Sequence, residues 1–299
     1  MAQGKVIVTI APTGGMGTKE MNPNLPTQPQ EIAEDVKRCY DAGATVVAVH
    51  ARRPDHTATC DPEIYGDINT RIRDLCPGMI VNNSTGGGVT GEMVGPDPSG
   101  DIQILWEERV KGVEAGADIC THDAHTIVAN FGKKKVMVRT ELDKSRDLAI
   151  MMKERGIKPE WECFSVAHML DPITLIEEGL DEPPYNFNFV LGAQKGFQGA
   201  MPFSPKVLNA MVDELPEGSI FTVSGIGPAQ LPAAMGALLT GGHVRVGLED
   251  NMYYAKGELA TNVQLVERLV RQVREMGMEP ATHEEAREML GIPRAAASA

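Results

Sequence analysis

The feature that most constrains the fold is an alternation of short, β-branched apolar runs with amphipathic helical patterns. Runs at 6–10, 45–50 and 79–84 each predict a strand, and the segment 29–41 predicts a helix between the first two strands. Such near-continuous apolar runs are typical of buried parallel strands. We therefore predict an α/β fold, a (β/α)8 TIM barrel with a C-terminal helical extension, for which 299 residues suffice.

The rest of the chain continues this alternation. Further strands are predicted at 118–121, 135–139, 161–165, 187–191, 219–223 and 244–248, which gives eight or nine strands in all, and further helices at 102–115, 144–155, 258–276 and 282–291. We expect one domain over 1–299, with C-terminal helices at about 255–291 packed on the barrel. The segment 86–100 is rich in Gly and Pro and is long for a loop, so we interpret it as a lid or a subunit contact.

Composition excludes several classes of protein. The net charge is −13 without a basic run, so a nucleic-acid surface is not expected. Five scattered cysteines argue against a disulfide framework and a zinc knuckle. No apolar run approaches the roughly 18 residues of a membrane span, and the N-terminus lacks the apolar segment of a signal peptide. We expect a cytoplasmic enzyme that acts on small molecules.

Charged side chains lie within and directly after one of the predicted strands. Arg245 lies within the run Val244–Leu248, and Glu249 and Asp250 follow it directly. Burying such charges costs several kcal/mol per ion unless they are paired or bind something. In a (β/α)8 barrel the C-terminal ends of the strands carry the active site. The segment is therefore predicted to form part of an active site.

Other strands end in polar groups of the same kind. His50 follows the second strand, where it suits a metal ligand or an acid–base group, or a buried His bonded to backbone. After the third strand, Ser84 and Thr85 offer hydroxyls, and Gly86 allows close approach of a ligand; a flexible turn is the alternative. Glu162, on a later strand, must be either paired or catalytic.

Two further strand ends contribute candidates. Thr121 is expected to face the barrel mouth, His125 to face away, and the direction of His122 stays open. Gly225 and Gly227 precede a Pro at a probable helix start, which is typical of an anion-binding turn. If the chain closes into a barrel, a carboxylate, an arginine, hydroxyls and one metal would meet. Such a site suits carbon–carbon bond chemistry beside a carbonyl group.

Several motifs resemble the β-keto acid cleavage enzyme family over nearly the whole chain. The most specific is the segment 241–251, GGHVRVGLEDN. The segments 7–15, 84–87, 120–123, 189–192 and 225–227 are also similar to family motifs.

The resemblance implies a reaction and roles for the residues. The family converts a β-keto acid and acetyl-CoA into acetoacetate and a new acyl-CoA on an oligomeric barrel, here a dimer or tetramer. It implies that Glu249 binds zinc and that Asp250 deprotonates the carbon between ketone and carboxylate. Arg245 would orient charge and Glu162 would assist the base. Ser84 and Thr121 would lie beside the substrate, and CoA would cross the glycine loops.

One position departs from the family pattern. The family has two metal-binding histidines separated by one residue; here Ala48 replaces the first, and His50 is the second. Catalytic zinc normally takes three protein ligands, and His122 is the candidate for the third. Arg53, where the family usually has Asp, is a second change nearby. The alternatives are a metal-independent lyase or aldolase on a related keto acid, or a ligand-binding barrel without activity.

Overall fold

Eight parallel strands close into a barrel in chain order, with the last strand pairing to the first. The computed structural model describes residues 4–131 and 134–293. The barrel strands are β1 (Val8–Ile10), β2 (Val46–Val49), β3 (Ile80–Asn83), β4 (Ile119–His122), β5 (Lys158–Cys163), β6 (Tyr185–Leu191), β7 (Ser219–Gly225) and β8 (His243–Val246). The predicted (β/α)8 barrel is confirmed.

Helices connect the strands and cover the outside of the barrel. They are α1 (Pro29–Asp41), α2 (Pro62–Leu75), α3 (Trp106–Arg109), α4 (Leu142–Glu154), α5 (Leu170–Glu177), α6 (Pro205–Asp213), α7 (Gln230–Thr240), α8 (Asn262–Glu275) and α9 (His283–Leu290). In α1, Ile32, Val36 and Cys39 form the buried face at helical spacing. Short 3-10 turns lie at Gly91–Met93, Val110–Ala115, Val166–Met169 and Gly227–Ala229. None of the described helices is long and apolar enough to cross a membrane.

The N-terminal end of the barrel is closed by α9. Leu290 of this helix and Ile292 beyond it pack with Ile7, Ile80 and Ile119 from the lower ends of the strands. Thr282 caps the helix and forms a capping box with the third helical residue, as the sequence indicates. This packing leaves the opposite, C-terminal end of the strands for a site.

A five-stranded sheet lies at that opposite end, and we call it the mouth sheet. Its strands, in spatial order, are Phe197–Gln198, Ile127–Phe131, Lys134–Val138, Ile102–Ile104 and Val94–Pro96. They come from the segments that follow β6, β4 and β3. The segment 86–100 contributes the edge strand Val94–Pro96 to this sheet, and residues 86–89 line the pocket below it; its interpretation as a lid or a subunit contact stays a prediction.

Two predictions about this region are wrong. The segment predicted as a strand at 135–139 does form a strand, but in the mouth sheet, not the barrel. Its alternation of buried Val136 and Val138 with exposed Lys135 is typical of a sheet with one solvated face. The predicted helix at 102–115 begins as a strand, because Ile102 pairs with Val136.

Four helices also differ from expectation, and three of them, α2, α5 and α6, have no counterpart among the predicted helices. Helix α2 was not predicted, although Asp61 caps its first turn and Pro62 occupies its first position. Helix α8 begins at Asn262, not at residue 258, because residues 258–259 pair with Tyr253–Ala255 in a short hairpin. Two more short pairs join Lys5–Val6 to Glu279–Pro280 and Ala51–Arg52 to Ala58–Thr59.

Candidate active site

A pocket of about 160 Å³ lies between the C-terminal ends of the barrel strands and the mouth sheet. This is the end at which (β/α)8 enzymes place their catalytic groups. Its polar lining comprises His50, Ser84, Asp123, Glu162, Arg245, Glu249 and Asp250. The structure therefore brings together most of the residues that the sequence predicts, from the ends of four strands, β2, β3, β5 and β8.

Gly247 sets the direction in which the chain leaves β8. Its φ is +153°, and a Cβ atom here would lie 1.9 Å from the carbonyl oxygen of Ala11. Only glycine tolerates this conformation and this close approach. The turn then returns the Glu249 amide to the same carbonyl, at 3.2 Å. Glycine at this position thus directs the next two carboxylates into the pocket.

Arg245 is the centre of a buried ion cluster. It binds Asp250 with two hydrogen bonds, Nε to Oδ2 and Nη2 to Oδ1, each at 2.9 Å. Its Nη2 also donates to Glu249 Oε1 at 2.5 Å, and its Nη1 lies 3.4 Å from Glu162 Oε1. Burial alone would lower the pKa of Arg245, but the carboxylates of Asp250 and Glu249 outweigh it and raise that pKa. The guanidinium therefore stays charged.

The pKa values of the three carboxyl groups around Arg245 are shifted in different directions. Burial raises the pKa of Asp250 although Arg245 opposes the shift. Burial also acts to raise the pKa of Glu249, but Arg245 and His50 prevail and lower it to about 2. For Glu162, burial and the neighbouring Asp123 carboxylate raise the pKa well above its usual value. Three carboxyl groups whose pKa values are shifted in different directions thus share a single pocket.

Asp123 is a pocket residue that the sequence did not single out for the site. It directly follows β4 and, by the alternation of side chains, lies on the same face as Thr121, two residues earlier. Its Oδ2 lies 3.5 Å from the buried guanidinium of Arg109, and its Oδ1 is buried without a hydrogen-bond partner. The alternation from Thr121 was the signal that could have identified it.

A second polar layer lies below the pocket. Glu160, 3% exposed, accepts a hydrogen bond from Asn82 at 2.7 Å and lies 3.4 Å from Thr121 Oγ1. The sequence reasoning missed Glu160, which precedes Glu162 by two residues and shares its face of β5. Thr121 therefore reaches this lower layer, where it contacts a carboxyl group.

Some of the predicted hydroxyl and glycine residues line the pocket, and the others contact the backbone that supports it. Ser84 and Gly86 line the pocket, and Ser84 Oγ accepts from the Gly86 amide at 3.0 Å. Thr85 points into the fold, with its hydroxyl donating to the Thr121 carbonyl at 2.5 Å. Gly225 packs against the backbone of Ala229 at the start of α7. Thr85 and Gly225 therefore support the backbone of the site.

Gly227 also supports the site from outside. Its amide donates to the Asp250 carbonyl at 2.7 Å, while its neighbour Ile226 lines the pocket. The predicted anion-binding turn therefore holds the backbone of a site residue.

His50 and Glu249 face each other across the pocket. His50 Nδ1 donates to the Gly87 carbonyl at 2.8 Å. Nε2 lies 3.5 Å from Glu249 Oε1, and Glu249 Oε2 is buried without a partner. His50 and Glu249 are two of the three side chains that the sequence predicts as metal ligands, and the structure places them side by side.

The third predicted ligand lies elsewhere, which corrects the expectation for His122. Its ring stacks on Trp161 with centroids 4.6 Å apart, and its Nε2 lies 2.9 Å from Ser145 Oγ on α4. Because side chains alternate along a strand, Thr121 and His122 must point to opposite sides of β4. His122 thus belongs to the packing between barrel and helix.

The residues present do not fit a three-ligand metal centre. Ala48 stands on the His50 face of β2 with only a methyl group. Within residues 4–131 and 134–293, no group of three His, Cys, Asp or Glu side chains is placed to hold a metal ion. Catalytic zinc normally takes three protein ligands. Of the predicted ligands, only His50 and Glu249 lie together in this pocket.

Comparisons with known proteins agree with the fold. A solved structure titled "Ternary complex of ObcA with C4-CoA adduct and oxalate" matches with a TM-score of 0.70 and 18% identity, covering 90% of this chain and 68% of that one. This likeness concerns the fold alone.

Comparisons of sequence are more specific. A "3-keto-5-aminohexanoate cleavage enzyme" of Fusobacterium nucleatum subsp. nucleatum is 38% identical, over 96% of this chain and 98% of its own length. A "3-dehydrocarnitine:acetyl-CoA trimethylamine transferase" of Rhizobium meliloti is 34% identical, over 96% and 97%. The family model for beta-keto acid cleavage enzyme matches residues 5–292. The chain therefore belongs to the β-keto acid cleavage enzyme family.

Proposed function

We propose that this protein transfers an acyl group by cleaving a β-keto acid with acetyl-CoA, which yields acetoacetate and a new acyl-CoA. The observation that carries the proposal is the Arg245–Asp250 pair, buried and bidentate at the end of β8 within the pocket. Acetyl-CoA is named in the description of the Rhizobium meliloti relative. The proposal extends that co-substrate to this chain.

Asp250 acts as the base in this proposal. It removes a proton from the carbon between the ketone and the carboxylate, and burial supports this role because it raises the pKa of Asp250 and makes it a stronger base. The resulting carbanion bonds to the acetyl carbonyl carbon, and CoA leaves as a thiolate. The thiolate then adds to the substrate ketone, and the carbon–carbon bond breaks to release acetoacetate and the new thioester. The carbanion released by this cleavage regains the proton, so the reaction is redox-neutral.

The other pocket groups orient the Asp250 carboxylate and the substrate, and they supply protons to the reacting atoms. Arg245 fixes the Asp250 carboxylate by its two hydrogen bonds. Ser84 lines the pocket with a hydroxyl that can donate to a substrate oxygen. Glu162 accepts a hydrogen bond from Asn188 at 2.9 Å, and its raised pKa suits it to supply a proton to the developing oxyanion or carbanion.

Zinc is proposed to bind weakly. His50 and Glu249 supply two ligands, and Ala48 and His122 supply none. We therefore expect purified protein to carry well under one zinc ion per chain after dialysis. No step above is assigned to a metal.

The two-ligand site favours a second candidate, a metal-independent lyase on a related keto acid. Acetyl-CoA dependence separates the two. In the first case, loss of the β-keto acid and formation of acetoacetate both require acetyl-CoA. In the second case, cleavage proceeds without it.

The test is acetoacetate formation from acetyl-CoA and a panel of β-keto acids, with enzyme of measured zinc content. Asp250→Asn is expected to lower turnover by at least about 1,000-fold, because the amide cannot accept the proton. Asp213→Asn, at an exposed position on α6, is the matched control and should leave turnover unchanged. Normal turnover in a folded Asp250→Asn variant would refute the proposal.

We also infer an assembly of two or four copies, which rests on the resemblance to the family and is tested by light scattering. A reducing cytoplasm is proposed as its compartment, because all five cysteines are buried and unpaired.

A further inference from the structure

The pocket is polar at the barrel and apolar under the mouth sheet. All charged side chains that line it belong to the barrel end, which carries the ion cluster and His50. The apolar lining includes Ile104, Ile127, Val138 and Phe197 of the mouth sheet, together with Phe164 and Val190 from the ends of β5 and β6. We call this group the apolar wall.

The pairing register of the mouth sheet produces this wall. Ile127 pairs with Val138, and Ala129 pairs with both Val136 and Phe197, so these side chains share one face of the sheet. The neighbouring Val128 pairs with Gln198 on the other face. The face turned to the pocket is therefore apolar throughout these pairs.

The apolar wall is the closed end of the pocket. Ile104 and Ile127 are each 4% exposed and Val138 is 6% exposed, whereas Met16, on the glycine-loop side of the same pocket, is 44% exposed. The pantetheine arm of CoA must reach solvent, and the exposed Met16 marks a side of the pocket on which it can leave. The closed end remains for the group attached to the substrate ketone.

We propose that this enzyme takes β-keto acids whose ketone carries an uncharged apolar substituent. The inference rests on the proposed function and names its substrate class. An ammonium or carboxylate group against the apolar wall would lose its hydration and gain no partner, which is costly. An alkyl group of three or more carbons would instead bury apolar surface there.

Three six-carbon β-keto acids test this proposal with acetyl-CoA as co-substrate. They are 3-oxohexanoate, whose ketone carries a neutral propyl group, 3-keto-5-aminohexanoate, whose substituent carries an ammonium group, and 3-oxoadipate, whose substituent carries a second carboxylate. We expect kcat/KM for 3-oxohexanoate to exceed both others by at least about 100-fold. Equal or better turnover of a charged substrate would overturn the inference while leaving the proposed function intact.

A binding measurement separates failure of the inference from failure of the proposed function. If folded enzyme turns over none of the three acids, the proposed reaction is wrong. Calorimetry with hexanoate and 6-aminohexanoate then decides the nature of the closed end. Tighter binding of hexanoate supports the apolar wall, and equal or tighter binding of 6-aminohexanoate overturns it.

A pair of variants on one strand adds a direct control. Ile127→Asp is expected to lower kcat/KM for 3-oxohexanoate by at least about 100-fold and to shift the ratio toward the cationic substrate. Val128→Asp, on the other face of the same strand, should change it by less than about threefold. If Ile127→Asp does not fold, Val138→Thr keeps the shape, and we expect a loss of about tenfold. No loss in Val138→Thr would refute the assignment.

Discussion

Arg245→Met probes the ion cluster, because it removes the guanidinium but keeps an unbranched apolar stem of similar length. The wild-type guanidinium binds Asp250 at 2.9 Å twice and Glu249 at 2.5 Å, and it lies 3.4 Å from Glu162. Removing one partner of a buried ion pair costs about 3–5 kcal/mol, since a charge is left uncompensated. We expect a loss of about that size in the free energy of unfolding at pH 8.

The loss should shrink as the pH falls. In wild type, Glu249 has a pKa lowered to about 2, so its favourable contribution is complete above its unfolded value and is lost only as the pH falls toward 2. In the variant, the buried carboxyl groups have raised pKa values. They therefore bind protons more readily when folded than when unfolded, and the variant gains stability on acidification. The difference between the two proteins should be smaller at pH 5 than at pH 8.

Urea unfolding at the two pH values measures this difference. Arg274→Met is the matched control, because its pair with Glu279 is about 60% exposed on both sides and should contribute little. A loss below about 1 kcal/mol for Arg245→Met at pH 8, or one that does not shrink at pH 5, would refute the reasoning.

Three further variants test separate parts of the structure. Ala48→His adds a side chain on the strand face of the metal-ligand pair, so the zinc content measured by mass spectrometry after dialysis should rise toward one ion per chain; no rise would contradict the two-ligand interpretation. Gly247→Ala should lower the free energy of unfolding by about 2–6 kcal/mol, because its Cβ would meet the Ala11 carbonyl and its φ is unfavourable; a change below about 1 kcal/mol would be inconsistent with this turn. His122→Gln should lower stability by about 1–3 kcal/mol through the lost stacking and Ser145 contact, yet leave zinc content unchanged; a fall in zinc would return this residue to the metal site.

The barrel and the β8 cluster were predictable because their signals are local. The parallel strands are continuous apolar runs, and charges at the end of such a run have few structural explanations. Arg245, Glu249, Asp250, Glu162 and His50 therefore all lie in or beside the predicted pocket.

Other features depend on partners that the local sequence does not reveal. The strand at 134–138 was recognised as a strand, but its antiparallel partner decides which sheet it joins. Asp123 and Glu160 were overlooked because each was read alone, although alternation from Thr121 and Glu162 indicates them. The same alternation settles the direction of His122 once the bounds of β4 are known.

The strands of the mouth sheet belong to three loops that are far apart in the chain, after β3, β4 and β6. The ring of strands carries the reacting groups, and the loops carry the surface that meets the rest of the substrate. An engineer can therefore exchange the loop residues to change substrate preference without altering the catalytic ring. The three loops must be redesigned together, because Ile127–Phe131 pairs with Phe197–Gln198 and Lys134–Val138 pairs with Ile102–Ile104, in each case a strand of another loop.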